Sequence, residues 1–296
     1  MNVYPFIEAE QAGQHSVKRA CELLEVSRAA FYQRAAGPSR REQADEELFE
    51  AIKQAHAESG GTYGSPRVHG ALRNAGRRCG RKRVARIMRT RGLVGRCPKR
   101  WRKTTEQDPD AMTTAVDLIQ REFGPGVEID RRWCGDITYV WTWEGWMYLA
   151  TVIDIASRRV VGWAMADHLR AELVCDALRH AVTRRRPPPG VIFHADRGCQ
   201  YTSKEFRDLA TELGVTLSLG RTGQCWDNAL SESWFSAYKT ELIHTRSWPT
   251  KASLRRATFE YIESWYNLRR LHSSLGYRSP ADYEATLNHN PAAQAA

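Results

Sequence analysis

Three acids occupy positions where chemistry explains them better than packing does. Asp136 lies inside the apolar run RWCGDITYV, Asp196 follows the short run VIFHA, and Glu232 lies in GQCWDNALSESWF. Each has a plainer explanation when taken singly: a strand-edge charge for Asp136, a turn residue before Gly198 for Asp196, an exposed helix acid for Glu232. Asp154, in TVIDIAS, also ends an apolar run and competes for the first or second place; we rank it as structural. Order and spacing together, with 35 residues between Asp196 and Glu232, favour one shared site. Carboxylates alone select hard divalent cations, Mg2+ or Mn2+, over zinc or copper. Two such ions about 3.5–4 Å apart activate a hydroxyl nucleophile and stabilise the leaving oxygen of an in-line phosphoryl displacement.

The acids need elements to bring them together. Residues 132–142, 145–155 and 159–166 are apolar, β-branched and aromatic runs with short polar breaks, the pattern of an antiparallel meander. An amphipathic helix is expected over 171–184, stopped by Pro187-Pro188-Pro189-Gly190. A short buried strand at 191–193, a helix at 204–213 and a strand at 215–219 follow. Long helices are expected over 227–243 and 252–267. The order β-β-β-α-β-α-β-α is that of a ribonuclease-H-like core, an α/β fold with a mixed, helix-covered sheet. In such sheets strand ends and a following helix converge on one crevice.

Upstream the character is helical and basic. Residues 1–58 contain a helix-turn-helix-like pattern, with Ser16 and Ser27 as caps and Val17, Ala20, Leu23, Leu24, Ala30 and Phe31 as apolar positions. Residues 59–105 form a second pair: Ser65-Pro66 opens a helix lined by Val68, Ala71, Leu72 and Ala75. A second helix, 81–91, carries Val84, Ile87 and Met88. No acid occurs from Ser59 to Thr105, while 15 bases lie between Arg67 and Lys103. Residues 1–105 hold 22 bases against 10 acids, a net of +12, and the remainder holds 22 against 24, a net of −2. A block of one sign is a candidate polyanion contact. Arg67, Lys82, Arg83, Arg86 and Arg89 are expected to fall off the apolar stripes and face DNA phosphates. A linker is expected over 106–130, with a poorly defined helix over 113–121.

At 42% hydrophobic the chain has ample material for a core, which excludes whole-chain disorder. No apolar stretch approaches the roughly 20 residues of a membrane span, and the first residues lack a signal-peptide pattern. Seven scattered cysteines without C-x-x-C suggest neither a zinc cage nor a disulfide framework, and a reduced cytoplasmic protein is expected.

The chain resembles the second-reading-frame (OrfB) transposases of bacterial insertion sequences, whose core belongs to the DDE retroviral-integrase superfamily. The likeness runs through LLEVSRAAFYQ, YGSPRVHGALR, RKRVARIMRTRGL, WCGDITYV, VIDIASRRVVGWAM, HADRGCQYTS, DNALSESWFSAYKTEL and YIESWYNLRRLHSSLGYRSPADY. The resemblance implies an integrase-type catalytic core over 131–245, completed by a helical part over 246–296. It implies that Asp136, Asp196 and Glu232 are the catalytic, metal-binding triad. Lys239 matches the family's basic residue seven places on, and helical geometry puts it on the Glu232 face. Trp265, Tyr266, Asn267, His272 and Ser279-Pro280 match the family's terminal block, for which packing against the core is the simplest role. Asn228 and Ser231 are expected to cap or pack beside Glu232, and His194 to pack or hydrogen-bond.

The implied activity is Mg2+-dependent DNA cleavage and strand transfer, integrating an insertion sequence by a copy-out, paste-in route. The implied partners are the element's terminal inverted repeats, target DNA, at least one further copy of the chain, and the upstream reading-frame product or a frameshift fusion with it. A nuclease without joining activity and a non-catalytic DNA-binding regulator are the alternatives.

Overall fold

The computed structural model describes residues 3–97, 118–119, 124–220 and 229–288. Three short helices open the chain: α1 (Tyr4–Ala12), α2 (Val17–Leu23) and α3 (Arg28–Ala35). Ser16 and Ser27 accept from Arg19 N–H and Ala30 N–H at 3.4 and 3.5 Å, so both caps form as their residue types predict. Ile7, Ala20, Cys21 and Phe31 make the small core of this unit, whereas Leu23 is 67% exposed and leaves the expected stripe.

Helix α4 (Arg40–Glu58) begins at a capping box between Ser39 and Glu42. Its buried Leu48 and Ile52 pack with Val68 and Leu72 of α5 (Ser65–Asn74) and Val84, Ile87 and Met88 of α6 (Arg81–Thr90). A division between residues 58 and 59 would therefore cut α4 from the two helices it packs against. Gly64 caps α5, with Ser65 already inside the helix and making no cap bond, a one-residue shift from expectation.

The core sheet has five strands: β1 (Arg132–Thr142), β2 (Gly145–Asp154), β3 (Val160–Ala166), β4 (Ile192–Ala195) and β5 (Thr216–Leu219). Their order is β3-β2-β1-β4-β5. The first three pair antiparallel, while β4 runs parallel to both β1 and β5, so the sheet is mixed. Helices α7 (Ala171–Arg185) and α8 (Lys204–Glu212) cover one face, where Trp133, Val152, Val161, Leu178, Phe193 and Phe206 are buried. The other face packs on α9 (Ala229–Glu241) and α10 (Lys251–Phe259), through Cys134, Leu149, Ile153, Trp234, Tyr238 and Leu254. Alternate strand residues serve opposite faces, which is why β1 and β2 read as nearly continuous apolar runs.

At Gly162 of β3 a Cβ would lie 2.4 Å from the Ala177 carbonyl oxygen and 2.6 Å from the Ala181 Cβ. Helix α7 rests directly on the strand backbone there. Gly162→Ala is expected to destabilise the chain by about 1–3 kcal/mol through overpacking; an unchanged denaturant midpoint would show that α7 yields instead.

A π-helical segment, Glu260–Tyr266, prolongs α10, and α11 (Pro280–Asn288) completes the chain's described elements. The expected helix over 113–121 lies almost wholly outside the described residues. Within the described part of the expected linker, Ile119 is buried in the core and Gly126 accepts from the Tyr283 hydroxyl at 3.3 Å, while Leu118 and Val127 are exposed.

Candidate active site

The sheet itself brings two of the acids together. Parallel pairing sets Cys134 opposite His194. That is the last pair of the two strands; Asp136 on β1 and Asp196, just past the end of β4, each lie two residues beyond it. Gly135 allows this pairing: a Cβ there would lie 2.3 Å from the Phe193 ring. The third acid arrives on α9, whose first turn is held to β1 by a 3.4 Å hydrogen bond from Ser231 Oγ to Cys134 Sγ. Cys134 and Asp136 share a strand face, so the neighbour of Ser231, Glu232, is carried to the same end of the sheet.

The Asp136 carboxyl lies under the charge of both other acids. Burial, then the charges of Asp196 and Glu232, push the Asp136 carboxyl up to about 7, against the N–H of Ile137, which it accepts at 2.7 Å, and against the Lys239 ammonium. Burial raises Glu232 and lowers Lys239, the latter offset in part by Asp136. Lys239 Nζ stands 5.6 Å from the centre of the Tyr139 ring, beside the same strand. Tyr201 is a fourth neighbour: burial and the charges of Asp136 and Asp196 raise its phenol. Asp196 Oδ1 accepts from Gly198 N–H at 3.0 Å. Among the described residues, no three acids, histidines or cysteines converge tightly enough to form a closed ligand set.

The competing acid is committed elsewhere. Asp154 is wholly buried and accepts from Asp130 N–H, Ser157 N–H and Ser157 Oγ at 2.7–2.8 Å, fixing the turn between β2 and β3. His194 is buried with its Nδ1 2.9 Å from Ser218 Oγ.

The expected phosphate-facing bases divide. Arg83 and Arg86 are held by Asp45 of α4 at 2.6 and 2.5 Å, so the expectation that both are free is corrected. Arg67 points inward, donating to the Leu271 carbonyl at 3.2 Å and standing 3.9 Å from Glu241. Lys82 and Arg89 are exposed.

Models of the integrase core domain match residues 127–225 and 213–280, and a model of an HTH-like domain matches 43–101. The transposase InsF for insertion sequence IS3A, from Escherichia coli strain K12, is 37% identical over 287 residues, covering 95% of this chain and 98% of its own. The chain belongs to this family of insertion-sequence transposases. The transposase for insertion sequence element IS904, from Lactococcus lactis, is 36% identical over 247 residues, covering 83% of this chain and 97% of its own. Among solved structures, the simian T-cell lymphotropic virus intasome in complex with the PP2A regulatory subunit B56 gamma is 16% identical. It covers 79% of this chain and 74% of its own, with a TM-score of 0.46.

In this transposase the C-terminal block does what sequence spacing did not reveal. Tyr63 Oη receives Leu271 N–H at 2.8 Å, Arg73 donates to Gly276 O at 2.8 Å, and Asn74 donates to Tyr277 O at 2.7 Å. A Cβ on Gly70 would lie 2.8 Å from the Tyr277 side chain, so the helix sits flush on the block. Asn267 grips the β3 backbone by two 3.0 Å bonds to Val160. Arg270 and Glu241, both nearly fully buried, make a bidentate pair at 2.7–3.0 Å. The block therefore clamps the HTH-like helices to α9, the helix that carries Glu232 and Lys239.

Proposed function

We propose that this transposase cuts and rejoins DNA at the ends of its insertion sequence at a hard-metal site formed by Asp136, Asp196 and Glu232. The observation that supports this reading is that Asp136, raised by burial, also lies under the charges of Asp196 and Glu232. An all-oxygen donor set with uncompensated negative charge fits Mg2+ or Mn2+, about two ions, each keeping positions for water and phosphate oxygens. When bound, such ions activate the hydroxyl nucleophile and stabilise the leaving oxygen. The nucleophile is water in cleavage and a freed 3′-hydroxyl in joining. Asp136 is held by the β1–β2 pairing, and Asp196 directly follows β4. Lys239, half-buried beside Asp136, presents its ammonium to a substrate phosphate.

Lys82 and Arg89, with other exposed bases of the HTH-like module, hold the DNA duplex. Replacing both by alanine is expected to weaken duplex binding and to flatten the salt dependence of affinity by about one unit of log-log slope per lost phosphate contact. A slope equal to that of the parent chain would remove these two residues from the interface. The substrates we assign are the terminal inverted repeats and target DNA. Joining two ends requires at least two copies on the DNA, working with the upstream reading-frame product, in the bacterial cytoplasm at the nucleoid. Among the described residues, no helix is long and apolar enough to cross a membrane.

Labelled element ends incubated with Mg2+ and a target plasmid test the reading. Strand-joined product is the expected result. Nicked DNA alone would leave a nuclease, and a mobility shift without cleavage would leave a DNA-binding regulator.

A further inference from the structure

The β1–β2 hairpin exposes a cluster of aromatic rings. Tyr139 is 58% exposed, Trp141 55%, Trp143 70% and Trp146 45%. The register sets Trp141 opposite Trp146 and Tyr139 opposite Tyr148, so the rings share one surface of the hairpin. Trp146 meets Trp141 at 4.9 Å and Tyr139 at 5.2 Å, both edge to face. Strand β4 pairs with β1 only at Arg132, Trp133 and Cys134, so on that side the edge of β1 beyond the carboxylate stands open.

Between this edge and the segment following α9 lies a groove of about 430 Å³, lined by Tyr139, Trp141, Trp143, Lys239, Arg246 and Trp248 among others. Its far wall is fixed: Trp143 N–H donates to Trp248 O at 3.1 Å, and Trp248 Nε1 donates to Ile243 O at 3.1 Å. Two cations sit at the aromatic walls, Lys239 over Tyr139 at 5.6 Å and the Arg246 guanidinium over Trp248 at 4.6 Å. Exposed rings beside cations suit a ligand that carries both flat bases and phosphates. A duplex keeps its base faces stacked inside, so the occupant is single-stranded. Tyr139 is three residues from Asp136 along β1, a rise of about 10 Å, and points to the opposite face of the strand. Lys239 links the two, its ammonium under the charge of Asp136 and 5.6 Å from the centre of the Tyr139 ring, so a strand leaving the carboxylates meets the groove by passing Lys239 around the open edge of β1.

We infer that this groove binds unpaired nucleotides of the DNA strand whose phosphodiester lies at Asp136. The inference rests on the proposed function and adds a base-stacking subsite to it.

The test uses the full chain in EDTA and measures affinity for three labelled duplexes: blunt, with an unpaired 3′ tail of about five nucleotides, and with the same tail made abasic. Base stacking on an aromatic residue is worth enough for roughly a tenfold preference for the tailed duplex over the other two. Trp141→Ala with Trp143→Ala should erase that preference and leave blunt-duplex affinity intact. Trp143→Ala alone, at the exposed hairpin tip, should reduce it partially without disturbing the fold. A parent chain that binds blunt and tailed duplexes equally would overturn the groove assignment while the DNA reading stands. So would a double variant that keeps the preference, including one whose only change is loss of self-association through the open strand edge. Failure of the parent chain to bind any of the duplexes would contradict the DNA reading itself, and the inference with it.

Discussion

Asp136→Asn is expected to slow DNA-end cleavage about 10³-fold, the loss of roughly 4 kcal/mol of transition-state charge stabilisation by the metal site. Affinity for the end should be unchanged or higher, because a negative charge facing phosphate is removed. The fold should gain stability, since Asp136 is half-buried under the charges of Asp196 and Glu232, and an amide of the same shape relieves both costs. Asp196→Asn should match it in rate but change stability less, because Asp196 is exposed at the strand end. Single-turnover cleavage of a labelled end, read beside a binding curve and a melting curve, checks all three effects. Parent-level cleavage in either variant would sink the assignment of the pair.

Glu241→Gln is expected to cost about 3–5 kcal/mol of folding stability, the penalty for leaving a buried guanidinium without its counter-charge. Glu241 receives Arg270 through three contacts of 2.7–3.0 Å and the Tyr261 hydroxyl at 3.0 Å, and Arg67 lies 3.9 Å away. Burial alone would raise its carboxyl, but hydrogen bonds and charge from Arg270, with Arg67 and Tyr261, hold it below the ordinary 4.5. A carboxyl depressed in the folded state contributes stability that is fully present above the unfolded value and is lost as pH falls through the folded one. The parent chain should therefore lose stability below about pH 4.5, and the variant should show a flatter acid limb. Because Arg67 belongs to α5 and Arg270 to the C-terminal block, the variant should also loosen the HTH-like helices from α9. Equal denaturant midpoints for variant and parent would mean the pair is dispensable.

What the sequence reveals and conceals follows from the range of the forces involved. The strands of the core are readable because alternation and β-branching act locally: the expected run over 132–142 is β1 residue for residue. The proposed acids stand out in the sequence because an acid between Cys134 and Ile137 needs a reason, and spacing offers its companions. How near they come depends on the β1–β4 pairing, a long-range contact that no local signal records. Arg83 and Arg86 read as free bases because the acid that holds them, Asp45, lies 38 and 41 positions earlier on another helix. Helix α4 carried a legible sign, the Ser39–Glu42 capping box, in a segment whose apolar positions are sparse. The role of Trp265 to Tyr277 was hidden because its hydrogen bonds to α5 involve backbone carbonyls about 200 residues away, which no side-chain pattern records. The aromatic hairpin was visible as strand-forming residues, but only the open edge of β1 shows that its rings face solvent.

We propose that three acids, on β1, just past β4 and on α9, make one hard-metal centre acting on DNA. Counting Mn2+ bound by the full chain in complex with element-end DNA, by electron paramagnetic resonance, tests it most directly. About two ions per active site are expected for the parent chain, and fewer for Glu232→Gln and for Asp136→Asn. A parent complex that binds no more Mn2+ than a variant lacking all three carboxylates would contradict the account.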